Sequence, residues 1–345
     1  MKIKVKDIAK AAGVSPATVS LVLNDRPSRI ADSTKERILR IATEMRFEQD
    51  SGMDFSSLRN TRTLGMIIPD AGNPFYHRLA EEVSSYAFEN GYVTLQCFVR
   101  DDMLCFYQAL ESLIAKKVDG LVLIPPKTMD RENVKAMKAV QKSGPPVVLL
   151  DRAAYNFFCD FVTADHKAGA RIATDYLITC GHTRIGCMVG GPNVYTSRTR
   201  VNGYCEALAA AKIPYDDSLV YYGNYDVETG RLGLEELLKK DITAVVAGND
   251  LMAYGIYLYA QEHDLSIPED LSVIGYDNTP LCGLLGVPLT SIEQDGGVIA
   301  RKAVEVLLER ISFEKGPEPA PYQNYYFTPY IVERKSVKNR VDIDK

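Results

Sequence analysis

From residue 64 onward the chain alternates between two hydrophobic patterns. The first is a series of short apolar runs: "LGMIIP", "YVTLQCFV", "GLVLIP", "PVVLLD", "FVTAD", "RIGCMVG", "LVYYG", "AVVAGND" and "LSVIGYDN". Runs apolar at nearly every position suit strands covered on both faces. The second pattern repeats every three to four residues. In "YHRLAEEVSSYAFENG", Leu79, Val83 and Tyr86 fall in helical register, and "FYQALESLIAKKVDG", "HKAGARIATDYLITCG", "TRVNGYCEALAAA" and "DLMAYGIYLYAQEH" read the same way. Strand and helix alternating over about 270 residues predict doubly wound parallel sheets with helices on both faces. That much chain divides into two lobes. The first crossing between them is expected near Phe161–Thr163, after about four strand–helix units.

Three helices can be read in residues 5–47 by the same criterion. "VKDIAKAAG" sets Val5, Ile8, Ala9 and Ala12 on one face, and Gly13 closes it in a tight turn. "SPATVSLVLN" follows at once, with Ser15 as N-cap, Pro16 at the first helical position, and Val19, Val22 and Leu23 facing inward. "DSTKERILRIATEMRF" is the third, opened by Ser33 and Glu36 at capping-box spacing and striped by Ile38, Ile41, Ala42 and Met45. Two short helices joined by a Gly-containing turn form a helix-turn-helix pattern. Residues 48–63, "EQDSGMDFSSLRNTRT", are polar and read as a linker.

Charge separates the same two regions. The chain carries a net charge of −5. Residues 1–47 hold ten Lys/Arg against five Asp/Glu, and the remaining 298 hold thirty against forty, so a +5 head precedes a −10 body. A basic helical head suits a polyanion. In a helix-turn-helix the second helix enters the major groove. Its exposed face here is Ser15, Pro16, Ala17, Ser20 and Leu21, with Thr18 and Asn24 placed for phosphate or sugar contacts. Ala17 and Leu21 can meet thymine methyls but cannot make bidentate bonds to guanine. No apolar run reaches the roughly 18 residues of a membrane span. The N-terminus lacks the apolar segment of a secretory signal, and seven cysteines without a C-x-x-C pair suit reduced thiols. A cytoplasmic protein is expected.

Several strands end in a carboxylate: Asp70, Asp151, Asp250 and Asp277. Ligands of open α/β sheets bind at that edge, although Asp there is equally a favoured helix cap. For Asp70 capping is at least as good a reading as ligand contact. Asp277, followed by "NTP" with no evident helix, favours a pocket role.

"VKDIAKAAGVSPATVSLVLN" resembles the DNA-binding head of the LacI/GalR family of bacterial repressors, over about twenty positions. Leu21 departs from it, standing where many members carry Arg or another base-reading polar side chain. The body resembles the family's two-lobed, periplasmic-binding-protein-like core, with "IIPDAGNPFY", "VDGLVLIP", "GHTRIG", "RTRVNGY", "AVVAGND", "VIGYDN", "LTSIEQ" and "ERKS" in order. The resemblance implies a head at 1–47, a hinge at 48–63 and a core at 64–340. It places lobe 1 at about 64–161 and 292–322, and lobe 2 at about 162–291 and 323–340. It implies a hinge leucine that wedges into the minor groove. Leu58 in "FSSLR" is the candidate, about two residues nearer the next strand than an ungapped match allows. It also implies an effector between the lobes, met by Asn73, Phe75, Asp151, Arg198, Tyr225, Asn249, Asp277 and Gln294. Tyr225 would stack on a ring, and Arg198 would bond hydroxyls or another polar group. That set suits a sugar or sugar derivative, and purine binders use a similar one.

The expected protein is thus a ligand-responsive repressor of carbohydrate-metabolism genes, binding a pseudo-palindromic operator as a homodimer. A purine or other small metabolite acting as corepressor is the alternative effector. A solute-binding receptor fits the body alone, but the basic head and missing signal argue against it. An enzyme is not expected. No G-x-G-x-x-G follows a strand, and no G-x-x-x-x-G-K-[ST], G-x-S-x-G or H-E-x-x-H occurs. Of four His, Asp165–His166 is the one tempting pair, yet neighbours opening a helix do not face each other. No cofactor, metal or membrane partner is expected. The tail "ERKSVKNRVDIDK" has no heptad repeat, so a dimer rather than a tetramer is anticipated. Ala17→Asp is expected to cripple operator binding with the core still folded, because it sets negative charge against the groove. A mobility-shift titration with a parallel thermal melt checks this, and unchanged affinity removes Ala17 from the reading face.

Overall fold

The computed structural model describes residues 5–23, 30, 31, 34, 35, 37, 38, 41, 61–127, 144–154, 157–313 and 321–341. The chain forms two units, residues 1–59 and 60–345.

In the first unit, α1 (Val5–Ala12) and α2 (Pro16–Leu23) are joined by the turn the sequence predicts. Gly13 has φ +64°, and the Val14 amide bonds back to the Ala9 carbonyl at 3.0 Å. A left-handed glycine permits that reversal at no steric cost. Ser15 caps α2, its hydroxyl accepting the Thr18 amide at 3.1 Å. Ile8, Ala9, Ala12 and Val19 are buried with Ile38, and Val14, Val22 and Ile41 pack at the edge. That packing leaves Ser15, Pro16, Ala17 and Ser20 exposed, with Thr18 and Leu21 half-buried. Positions 34, 35, 37, 38 and 41 are helical. The rest of the expected third helix, Asn24 and residues 48–60 of the hinge, Leu58 among them, lie outside the described residues; Thr63, expected in the hinge, already belongs to the first strand of the core.

Among the described residues the second unit contains two six-stranded sheets. In chain order lobe 1 supplies β1 (Thr63–Ile68), α3 (Pro74–Glu89), β2 (Val93–Phe98), α4 (Met103–Ala115), β3 (Gly120–Leu123), β4 (Val147–Leu150) and β5 (Asp160–Ala164). Lobe 2 follows with α5 (His166–Thr179), β6 (Ile185–Gly190), α6 (Tyr195–Ala210), β7 (Val220–Gly223) and α7 (Val227–Leu238). It continues through β8 (Ala244–Ala247), α8 (Asp250–Glu262), β9 (Ser272–Tyr276), α9 (Leu281–Leu284) and β10 (Thr290–Glu293). The chain then returns to lobe 1 for α10 (Gly296–Phe313) and β11 (Asn324–Phe327), and ends in lobe 2 with β12 (Tyr330–Val332). The strand orders are β11-β5-β4-β3-β1-β2 and β12-β10-β9-β8-β6-β7. Every pairing is parallel except β10 with β12.

Alternation along single strands explains the layers. Leu64, Met66 and Ile68 of β1 pack under α3 and α10, whereas Ile67 packs with Leu110 and Leu113 of α4. In lobe 2, Val245 and Ala247 meet Leu234, Met252 and Ile256, and Ala244 and Val246 meet Ala173, Leu177 and Tyr204. Burying each such side chain contributes about 1.5–3 kcal/mol. Helices on both faces leave the strand ends as the open edge of each sheet.

The lobe boundaries differ from those expected in three places. β5 pairs along its whole length with lobe 1 strands, so the first crossing falls after Ala164 rather than near Phe161–Thr163. β10 joins the lobe 2 sheet, which moves the second crossing from 292 to beyond Glu293. β11 pairs with β5, so residues 324–327 belong to lobe 1 and the third crossing follows Phe327. A strand belongs to the sheet whose backbone bonds it completes, and those partners are distant in sequence.

A polar cleft at the strand ends

Parallel strands bring their C-terminal ends to one edge, where the following helices begin. The cleft forms there. Lobe 1 contributes Asp70, Asn73, Phe75, Tyr76, Lys127, Asp151 and Arg152; lobe 2 contributes Thr196, Arg200, Tyr225, Asn249, Asp277 and Gln294. The walls stand close, leaving a cavity of about 20 Å³, of the order of one water.

In the lobe 1 wall, Asn73 caps α3, its Oδ1 accepting the Phe75 amide at 2.9 Å. Asp151 stands beyond β4 with φ +62°, and its Oδ2 accepts the Tyr76 hydroxyl at 2.9 Å. Burial pushes the Asp151 carboxyl up, but the hydrogen bond from His166 and the charges of Arg152 and Arg200 outweigh it and hold it below the usual range. Burial likewise keeps the Tyr76 phenol protonated, against the pull of Arg152. Arg152 donates from Nη1 to Asp101 Oδ1 at 2.6 Å and to the Pro125 carbonyl at 3.2 Å, with its guanidinium 5.2 Å from the Tyr76 ring. Lys127 joins Asp101 at 3.0 Å and reaches the Asn224 carbonyl of lobe 2 at 2.9 Å.

In the lobe 2 wall, the Tyr225 ring lies between Gly190 and Gly248, where any added Cβ would strike it. Its hydroxyl is 3.0 Å from Ser197 Oγ. Asn249 caps α8 through Oδ1, at 2.9 Å from the Met252 amide, and its Nδ2 donates to the Tyr225 carbonyl at 2.9 Å. Arg200 lies 3.7 Å from the Tyr276 ring centroid and donates to the Gly248 carbonyl. Its Nε is buried without a hydrogen-bond partner among the described residues, as is Gln294 Oε1. Gln294 Nε2 donates to Asp277 Oδ1 at 2.6 Å. Burial pushes the Asp277 carboxyl well up, Arg200 pulling it down and Asp250 adding to the rise. Asp250 points away from the cleft, where it accepts from Thr279 and Ser291 at 2.7 Å each.

Seven of the eight expected effector residues line this cleft: Asn73, Phe75, Asp151, Tyr225, Asn249, Asp277 and Gln294. Arg198 does not. It is exposed, and Arg200 takes the position expected of it. Helical geometry is the reason: Thr196, Ser197, Arg200, Gly203, Tyr204, Ala207 and Leu208 form the buried face of α6, and residue 198 lies off that face. Tyr204, Ala207 and Leu208 would have selected Arg200 by counting back four. Asp70 also lines the cleft, and its Oδ1 accepts the Gly72 amide at 2.7 Å, so it serves the turn before α3. Tyr76, Lys127, Arg152 and Thr196 were not expected. Arg152 had one signal, a charge immediately after an apolar strand. Among the described residues no group of His, Cys, Asp or Glu could hold a metal ion, and no helix is long and apolar enough to cross a membrane.

A helix-turn-helix unit combined with a two-lobed α/β core that closes on a polar cleft defines a ligand-responsive, DNA-binding transcriptional regulator. Residues 61–328 match the model for periplasmic binding proteins and the sugar binding domain of the LacI family, and residues 4–50 match that for bacterial regulatory proteins of the lacI family. This chain belongs to the LacI family. It is 31% identical over 336 residues to the HTH-type transcriptional repressor PurR of Aliivibrio salmonicida, covering 96% of this chain and 98% of the relative. It is 32% identical over 336 residues to the ribose operon repressor of Escherichia coli K12, with the same coverage of 96% and 98%. The complex of the transcriptional regulator CelR with cellobiose matches at TM-score 0.72 and 26% identity, over 97% of this chain and 99% of that one. A LacI-family regulator from Enterococcus faecium with bound ribose matches at 0.69 and 28%, over 80% and 99%.

Arg200→Ala is expected to abolish the effector response, whereas Arg198→Ala leaves it intact; effector titrations of operator binding compare the two. Asp277 yields a pH dependence. Its raised folded-state value means that it retains a proton where the unfolded chain has lost it. The resulting stability is complete below the unfolded value of 3.8 and is lost as pH rises toward the folded one. Asp277→Asn keeps the acceptor for Gln294 and has no proton to lose. Its melting temperature is expected to exceed the parent's at pH 7–8, the gap closing toward about pH 4.

Proposed function

We propose that the cleft binds a small sugar, and that lobe movement around it alters operator binding by a homodimer that represses carbohydrate-metabolism genes. The observation that carries the sugar reading is the ratio of hydrogen-bonding groups to space. Asp151, Arg152, Arg200, Asn249, Asp277 and Gln294 all reach a cavity of about 20 Å³. Hydroxyls both donate and accept, so a polyol satisfies carboxylates and guanidiniums together, while Tyr225 and Phe75 cover the apolar face of a ring. A planar purine offers polar atoms only at its edge and would leave more of these groups unpaired. The ribose of one related structure and the ribose operon repressor support the same class.

Sugar binding biases the head only through different affinities for the two lobe arrangements. Ser15, Pro16, Ala17, Thr18, Ser20 and Leu21 form the reading surface on this proposal, with Asn24 and Leu58 as further contacts. Exposed apolar side chains support the dimer. Phe88, Val93, Leu95, Phe98 and Leu104 crowd one edge of lobe 1. In lobe 2, Leu284 is 81% exposed beside a groove of about 400 Å³ lined by Tyr254, Leu258, Leu265 and Leu285. Such patches mark protein contacts. Thermal shift against monosaccharides including D-ribose, disaccharides, sugar phosphates and purines tests the effector class, since a ligand that binds the folded state raises Tm. A sugar is expected to raise it; a shift with purines alone overturns the reading.

A further inference from the structure

His166 is absent from the cleft lining yet touches both of its walls. It is the first residue of α5, where the chain enters lobe 2, and its side chain is wholly buried. On one side Nε2 lies 3.3 Å from Asp151 Oδ1 and 3.3 Å from the Asp151 carbonyl oxygen. The Thr163 hydroxyl is also 3.3 Å away. On the other side Nδ1 lies 3.3 Å from Nη2 of Arg200. A guanidinium has donors only. Nδ1 must therefore accept, which puts the ring proton on Nε2, aimed at Asp151. Thr163 agrees with this assignment: its hydroxyl can donate to the Asp151 carbonyl at 3.0 Å and turn a lone pair toward Nε2–H.

We propose that His166 is a positioning residue of the effector site: as a neutral imidazole protonated on Nε2, it registers Arg200 of lobe 2 against Asp151 of lobe 1. The proposal rests on the reading of the cleft as a site for a hydroxylated effector. Neighbouring hydroxyls need a donor and an acceptor at a set separation, and Arg200 and Asp151 supply that pair from different lobes. Arg200 makes no direct carboxylate contact among the described ion pairs, so the imidazole connects its charge to the anion across the crossing. A residue that only filled space could maintain packing but would leave both ends of this relay unmet.

Two measurements test it. In ligand-free protein labelled with ¹⁵N-histidine, long-range ¹H–¹⁵N spectra report which ring nitrogen carries the proton. The chain has four His, and the His166→Asn variant identifies the signal. Nε2 protonated with Nδ1 bare at neutral pH is expected; the opposite tautomer or a doubly protonated ring overturns the proposal. The second measurement is calorimetric titration of D-ribose into the parent and the His166→Leu, His166→Asn and His166→Gln variants, each checked for a cooperative melt. The Asn oxygen can replace Nδ1 as acceptor, and the Gln amide can replace Nε2–H as donor. Leu is expected to weaken binding roughly tenfold or more, with Asn or Gln recovering part of the loss. Full affinity in the Leu variant, or equal loss in all three, overturns the proposal. If the Leu variant does not fold, the Asn and Gln variants carry the comparison. If D-ribose does not bind the parent, the titration uses the sugar that thermal shift identifies; if only purines bind, the sugar reading fails on its own, and the tautomer measurement still decides the role of His166.

Discussion

A guanidinium buried between two lobes is tolerated only where other groups take up most of its hydrogens, and this cleft is arranged around two of them. Removing such a charge from water costs several kcal/mol. Arg152 meets that cost with Asp101, the Pro125 carbonyl and the face of Tyr76. Arg200 meets it with the Gly248 carbonyl, His166 and the face of Tyr276. These partners follow different strands, so each guanidinium ties several strand ends together. The position of every other cleft residue depends on those ends being held.

The two lobes solve the problem in parallel ways but are not equivalent. In lobe 1 Arg152 has a carboxylate at 2.6 Å, and Asp101 is held below the usual carboxylate range because Arg152 and Lys127 together outweigh its burial. In lobe 2 Arg200 is met by a carbonyl, an imidazole and two aromatic rings, and Asp277 is pushed up by burial. The cleft therefore presents a strongly ionised wall facing one whose carboxyl resists ionisation. Lys127 and the Arg78–Glu293 pair, at 2.6 Å, bridge the lobes.

Asn73 and Asn249 show why residue type at a strand end is ambiguous. Each caps a helix through Oδ1 and also lines the cleft. The two roles coincide because a doubly wound sheet sets the strand ends, the helix N-termini and the ligand edge in one place. The unpaired amides of a helix's first turn need acceptors, and the same short polar side chains suit a ligand. Capping and binding are therefore alternatives in the sequence but not in the structure.

Local pattern was enough to determine the helix-turn-helix, its Ser15 cap and Gly13 turn, the run of parallel strands and the carboxylates at their ends, while the resemblance to the LacI family supplied Asn73, Phe75, Tyr225, Asn249 and Gln294. The local features depend on periodicity and on turn chemistry within a few positions, which any window of the chain displays. The three crossings, the pairing of β11 with β5, and the contributions of Lys127, Arg152, Thr196 and His166 were decided only by tertiary structure. Each depends on partners far apart in sequence: His166 is significant because Asp151 and Arg200, 15 residues before it and 34 after it, converge on its ring. Arg198 and Arg200 mark the boundary between the two kinds of information. Both stand in one short motif, and the register of α6 against its sheet selects the one that reaches the cleft.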